Sequence, residues 1–202
     1  LGMVFHSCTN YDQAAQCYQL AIEKNESAWI WNYYLGYLYK ELGESDRVIE
    51  NFERVIELNP NADLAWYYLG EAYRNLKKTE LSEKAFSRIA NKSNANKVSE
   101  TTRKDNFPLS VYALFELSNI YIDNGHPEIA EETINKLLAQ SDVFGPAYRV
   151  LASIYFVKGE STLGERFSAR ANDLLLTSAP VDAIIDKLAM MSRSELFLLK
   201  LI

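Results

Sequence analysis

The 202-residue sequence has two cysteines, two histidines, five prolines and eight glycines, and each scarcity closes off a class of protein. Cys8 and Cys17 are too few for a disulfide framework. With His6 and His126 as the only histidines, they also fall short of the four closely spaced ligands that a zinc site needs. They read instead as small, buried apolar residues. Little Gly and Pro beside plentiful Ala, Leu, Ile, Glu and Lys favours helix over sheet. Basic side chains are outnumbered, 21 to 27, and the net charge of −6 argues against nucleic acid, whose binding draws on Lys and Arg at phosphates. No apolar run reaches the ~18 residues of a membrane span, so no membrane insertion is expected.

Catalytic signatures are lacking too. Neither phosphate-cradling glycine motif, G-x-x-x-x-G-K-[ST] or G-x-G-x-x-G, occurs. His6 and Cys8 are two residues apart, which puts them on different faces of a helix. His126, beside Pro127, reads as an exposed turn residue, and Glu50 to Glu53 and Glu131-Glu132 read as solvated helix faces. With no nucleophile–base pair, metal set or cradle, the chain reads as a non-enzyme without cofactor or metal.

What is present is a repeat. A shift of 34 residues lays Leu1-Gly2 on Leu35-Gly36 and Leu69-Gly70, Phe5 on Tyr39 and Tyr73, and Tyr18 on Phe52 and Phe86. Ala21 falls on Val55 and Ile89. After an interruption, Leu117, Tyr121 and Gly125 fall on Leu151, Tyr155 and Gly159 at the same spacing. Within each copy two amphipathic segments flank a break such as Leu42-Gly43-Glu44-Ser45 or Asn124-Gly125-His126-Pro127. Gly43 and Gly125 suit the left-handed position that ends a helix, and Pro127 suits the first turn of the next.

The pattern resembles the tetratricopeptide repeat, carried by Trp66-x2-Leu69-Gly70-x2-Tyr73, by Ala14-x3-Tyr18-x2-Ala21, and by Pro60 closing Glu57-Leu58-Asn59-Pro60. The resemblance covers roughly residues 1–178. It implies an all-α fold, a right-handed superhelical solenoid of antiparallel helix pairs. The expected copies are residues 1–28, 29–62, 63–96, 111–144 and 145–178, with a polar surface loop inserted at 97–110. Ser118 and Ala152 stand in for the glycine of the last two copies. Gly164 and Ser168 replace the alanine and aromatic of the fifth, which should be the least tightly packed. Residues 179–202 read as a C-terminal helical segment, the start of a further repeat or a cap. Pro180 to Met191 is its first helix, with Asp182 as a candidate cap, and Ser192 or Ser194 would cap a second over Glu195–Ile202. The opening at a Leu-Gly pair and the apolar end at Leu198–Ile202 suggest a fragment of a longer protein.

The resemblance further implies a groove lined by the first helices of the copies, where a protein or peptide partner binds. The groove positions fall on Tyr33, Tyr34 and Tyr37, then on Tyr67, Tyr68, Glu71 and Arg74. The later copies place Tyr112, Phe115, Glu116, Asn119 and Asp123 there, followed by Arg149, Ser153 and Phe156. Tyr34, Tyr37 and Tyr68 stand where small or polar residues are usual. Tyrosine's apolar face and polar tip suit a binding surface, although packing between repeats is the competing reading. The basic clamp that grips chaperone C-termini in this family is missing, since Tyr33, Tyr37, Tyr68, Tyr112 and Glu116 hold its positions. The expected function is therefore a protein-interaction scaffold with a tyrosine-rich groove. The alternatives are a regulatory or positioning module of a larger assembly, and self-association through the ends.

Overall fold

The computed structural model describes residues 1–92, 107–174 and 179–192. Among them are eleven helices and no strand: α1 (Gly2–Ser7), α2 (Tyr11–Lys24), α3 (Trp29–Leu42), α4 (Ser45–Leu58), α5 (Asp63–Asn75), α6 (Thr79–Ala90), α7 (Leu109–Asp123), α8 (Pro127–Gln140), α9 (Gly145–Val157), α10 (Ser161–Asp173) and α11 (Asp186–Met191). Residues 97–106 of the expected insertion and the expected helix at 195–202 lie outside the described residues. The chain divides into two units. One is residues 1–85 together with the segment beginning at Val181; the other is residues 86–180.

The 34-residue period is written in the backbone as well as in the side chains. Five breaks between paired helices each contain one residue of positive φ: Thr9 (59°), Gly43 (75°), Lys77 (57°), Gly125 (76°) and Gly159 (80°). The next amide in each case reaches back to the carbonyl five residues earlier. The pairs are Asn10 to Phe5, Glu44 to Tyr39, Lys78 to Tyr73, His126 to Tyr121 and Glu160 to Tyr155, at 2.8–2.9 Å. This 6→1 bond satisfies a carbonyl that the helix end would leave without a partner, and it turns the chain back on itself. Glycine enters the left-handed region freely, whereas Thr9 and Lys77 enter it at a cost.

In the first unit, one aromatic per pair fills the space between helices. Tyr18 and Phe52 are fully buried. Each lies against the glycine of its own copy. A Cβ built on Gly2 would meet the Tyr18 ring at 3.0 Å, and one on Gly36 would meet Phe52 at 3.0 Å. Phe52 has no room to yield, with Tyr33 and Tyr68 each 5.2 Å away, centre to centre. The Leu-Gly pair is therefore a packing requirement.

The second unit solves the same problem with different residues. Ser118, where the first copies carry glycine, is buried and donates its hydroxyl to the Phe115 carbonyl at 2.7 Å. Phe144 is buried among Phe107, Tyr112 and Phe115, at 5.1–5.6 Å. In the fifth copy the aromatic missing at Ser168 is supplied by its neighbour Phe167, which meets Tyr148 and Tyr155 at 6.3 and 5.4 Å. The bare backbone of Gly164 admits the half-exposed Phe156 ring.

Several sequence expectations need correction. Cys8 is exposed and Cys17 only half-buried, because Cys8 falls at the C-terminal end of the short α1. Glu53 and Glu131 are not simply solvated. Glu53 accepts a hydrogen bond from Tyr73 at 2.6 Å, and Glu131 accepts from Tyr155 at 2.6 Å and Lys158 at 2.5 Å. In both cases a tyrosine of one helix pair ties to the preceding pair. The helix expected from Pro180 to Met191 is shorter and begins at Asp186.

The left-handed residue at each break gives a test with opposite signs. Lys77→Gly removes a penalty of ~1–2 kcal/mol but adds freedom to the unfolded chain, so a net gain of roughly 0.5–1 kcal/mol is expected. Gly43→Ala is expected to lose about 1 kcal/mol, although open space surrounds the site. Urea unfolding of both variants checks the pair. Two changes of the same sign would contradict this account of the breaks.

Candidate functional site: the tyrosine face of the first unit

The helix-forming stretch Trp29–Leu42 carries tyrosines at 33, 34, 37 and 39, and Asp63–Asn75 carries them at 67, 68 and 73; of these, Tyr33, Tyr34, Tyr37, Tyr67 and Tyr68 hold the expected groove positions. Spacings of three and four residues put Tyr33 or Tyr34 on one side of α3 with Tyr37. The stacking of the pairs brings Tyr68 of α5 alongside. Tyr68 lies 6.2 Å from Tyr33 and 5.7 Å from Tyr37, edge to face in both cases. Tyr18 of α2 stacks on Tyr34 at 5.6 Å with ring planes 12° apart. Such offset and edge-on contacts add to the burial of the rings themselves.

At the α1 end, His6 is fully buried. Its Nε2 is 2.8 Å from Glu41 of α3, its Nδ1 is 3.2 Å from the Tyr18 hydroxyl, and its ring lies 6.3 Å from that of Tyr37. At the other end, the Lys40 ammonium stands over the rings of Tyr37 and Tyr68, at 5.6 and 5.2 Å, and 3.6 Å from Glu71. The α1, α3 and α5 helices thus present one continuous aromatic face with polar tips.

This face is covered by the chain's own segment 181–192. The Asp182 side chain is buried, and its carboxylate accepts four hydrogen bonds. Oδ2 receives the hydroxyls of Tyr33 (2.7 Å) and Tyr68 (2.9 Å), and Oδ1 receives the amides of Ile184 (2.9 Å) and Ile185 (3.1 Å). Asp182 therefore caps the turn before α11, where the sequence suggested a cap on the helix itself, and it also joins that turn to the tyrosines. Tyr34 donates to the Ile184 carbonyl at 3.2 Å. Ile185 and Leu188 are fully buried, α11 packs along α1, and the Ser192 hydroxyl donates to the Ser7 carbonyl at 2.8 Å. The segment crosses the face from α5 and α3 to α1.

Magnitudes separate the roles. Burying Ile185 and Leu188 stabilises by ~1.5–3 kcal/mol each. Desolvating a carboxylate costs several kcal/mol, and charge-assisted bonds of ~1.5–3 kcal/mol each largely offset this. The aliphatic pair supplies the adhesion, and Asp182 fixes where the segment sits.

Of the residues expected to line a groove, Tyr33, Tyr34, Tyr37 and Tyr68 gather around Asp182 in this way. Tyr67 is buried against Tyr68, Glu71 is half-buried beside Lys40, and Arg74 is exposed. In the second unit, Tyr112 and Phe115 pack on Phe144, Glu116 and Asn119 are half-buried, and Asp123 and Arg149 are exposed. Sequence reasoning missed Lys40 and Glu41, although the 34-residue shift sets them on Arg74 and Asn75. It also missed that Asp182, Ile185 and Leu188 share one spacing of three. Among the described residues, no cluster of His, Cys, Asp or Glu is arranged to hold a metal ion, and no helix is long and apolar enough to cross a membrane.

Residues 9–47 and 37–97 match the family model described as tetratricopeptide repeat. No curated protein matches the sequence. Among solved structures, a crystal structure of MamA aligns with a TM-score of 0.71 at 18% identity, covering 86% of this chain and 93% of that one. A MamA fragment from Desulfovibrio magneticus RS-1 aligns with a TM-score of 0.65 at 15% identity, over 81% and 85% of the two chains. YrrB, described as a TPR protein with an unusual peptide-binding site, aligns at 0.64 and 16%, over 85% and 81%. At these identities the likeness is one of fold.

Burial pushes the phenols of Tyr18, Tyr33, Tyr34, Tyr37 and Tyr68 above their usual range. The charge of Asp182 adds to this for Tyr33, Tyr34 and Tyr68, and Glu41 followed by Asp182 does so for Tyr37. A pKa raised on folding favours the folded state below the ordinary phenol value of about 10, and that contribution is lost as pH climbs beyond it. In an alkaline titration, tyrosinate absorbance should therefore rise in two parts. A gradual rise comes from accessible rings, and a cooperative step coincides with loss of the helical circular dichroism signal. All thirteen tyrosines ionising smoothly near pH 10 with helices intact would contradict the buried cluster.

Proposed function

We propose that this chain, a tetratricopeptide-type helical repeat over the matched residues 9–97, is an interaction scaffold whose first unit grips a short segment of protein chain on the face formed by Tyr33, Tyr34, Tyr37 and Tyr68. The observation that carries the reading is the way residues 181–192 lie on that face. Hydroxyls of Tyr33 and Tyr68 meet a side-chain carboxylate, and that of Tyr34 meets a main-chain carbonyl. These are the contacts that recognise a peptide: one set reads a side chain, and another holds backbone whatever the sequence.

Tyrosine suits the task physically. Its broad ring is rigid, so it loses little entropy on contact, and its hydroxyl satisfies polar atoms that would otherwise be buried without partners. The peptide-binding site described for YrrB gives the same fold a precedent for such a role. Lys40 and Glu71 flank the face and would tune charge preference, with Arg74 exposed further along α5. In the second unit, Tyr112 and Phe115 serve chiefly to pack Phe144. Glu116, Asn119 and Arg149 are the residues there that we assign to partner contact.

A random peptide library screened against the full chain tests this reading. Selected peptides should lose at least tenfold in affinity on Tyr33→Phe/Tyr68→Phe, which removes two hydroxyls and keeps both rings. Peptides indifferent to that change, bound to a variant of unaltered circular dichroism, would place binding elsewhere.

A further inference from the structure

We infer that the ligand of this face is a turn-and-helix segment carrying Asp, then Ile or Leu three positions on, then a second Ile or Leu three beyond that. Residues 181–192 are an intramolecular copy of it, which a partner's segment displaces. The inference rests on the peptide-binding reading above and names its substrate class.

The buried residues of the segment spell out the requirement. Asp182 is 5% exposed, Ile185 1% and Leu188 0%, whereas Val181 is 48% exposed and Met190 88%. Three positions at a spacing of three form one stripe along a turn that runs into a helix. Val181, Ala183, Asp186, Lys187, Met190 and Met191 are exposed, so their identity is free.

Aspartate is required at the first position because its carboxylate is used twice. One oxygen closes the turn on the amides two and three residues ahead, and the other takes both tyrosine hydroxyls. Asparagine would turn an amide group toward one pair of donors. Glutamate, a methylene longer, fits the turn poorly. All four donors are neutral, so the face selects a carboxylate by geometry and not by positive charge. This is how a carboxylate is held where the basic clamp of related repeats is missing.

Displacement follows from where the segment draws its order. A six-residue helix is far below the ~12–15 residues at which helices persist alone, so its order is drawn from the face. Among the described residues, side-chain hydrogen bonds from Tyr33, Tyr34, Tyr68 and its own Ser192 join it to the rest of the first unit. Tethering substitutes for affinity, since an intramolecular ligand acts at an effective concentration on the order of millimolar. A free segment of equal quality therefore competes only near that concentration, and a better one competes far below it.

The test uses a fluorescein-labelled peptide of sequence APVDAIIDKLAMMS, residues 179–192, and the full chain. Against the unaltered chain, anisotropy should show binding only near millimolar peptide. Against the Asp182→Ala/Leu188→Ala chain, whose own segment is weakened, binding should tighten at least tenfold. Peptide Asp182→Asn should then bind at least tenfold more weakly, and peptide Lys187→Ala unchanged. Equal binding of the Asn peptide would overturn the motif while leaving the groove reading intact. No binding by a variant with normal helical signal would overturn both. Loss of helical signal in the variant would make the segment a fixed part of the core and overturn displacement. Hydrogen exchange on the unaltered chain gives a second readout, in which millimolar peptide should deprotect the Ile184 and Ile185 amides and leave those of α3 protected. A doubled mass by light scattering would assign the covering segment to a second copy and overturn the intramolecular arrangement.

Discussion

A helical hairpin cannot bury both of its faces, and the first unit is organised around what this leaves open. Stacking one pair on the next buries Tyr18 and Phe52 against the glycines of their copies. The same stacking lines up the other sides of α1, α3 and α5, and on α3 and α5 tyrosines stand where a solvated surface would normally carry smaller polar groups. An aromatic face of that size needs a cover, and the segment from Asp182 to Ser192 supplies it. The face and its cover are therefore two consequences of one constraint.

The chemistry of the cover is distinctive because a carboxylate is buried on neutral donors. Lys40 is close by, yet its ammonium stands over the Tyr37 and Tyr68 rings and near Glu71, and Asp182 is left to two phenols and two amides. Hydrogen bonds of this kind demand geometry, so they confer register more than adhesion. Adhesion comes from Ile185 and Leu188. The division resembles that of other interfaces, where apolar anchors supply affinity and a few buried polar contacts set which sequence fits.

Much of the fold was legible in the sequence because its signal is periodic. Gly43 and Gly125 were legible as left-handed residues, whereas Thr9 and Lys77, which the 34-residue shift lays on Gly43, were not, because glycine is absent there. The tyrosines of α3 and α5 were legible as a surface, since a repeat position marks which way a residue faces. What covers them was not. Asp182 lies 149 residues from Tyr33, outside the repeat, and its sequence signal is indistinguishable from an ordinary helix cap. The partners of the exposed Glu53 and the half-buried Glu131 were not legible for a related reason, because each meets a tyrosine of the next helix pair that no local pattern links to it. Local chemistry was readable, and pairing at a distance was not.

The central claim is that Asp182 and the groove tyrosines form one interaction, and a double-mutant cycle measures it most directly. Tyr68→Phe, Asp182→Asn and the combined variant would be unfolded in urea beside the unaltered chain. If the hydroxyl and the carboxylate are bonded to each other, the losses are non-additive, with a coupling of ~1–3 kcal/mol. Losses that add to within ~0.5 kcal/mol would mean that the two groups do not meet in solution, and that the segment does not lie on the tyrosine face.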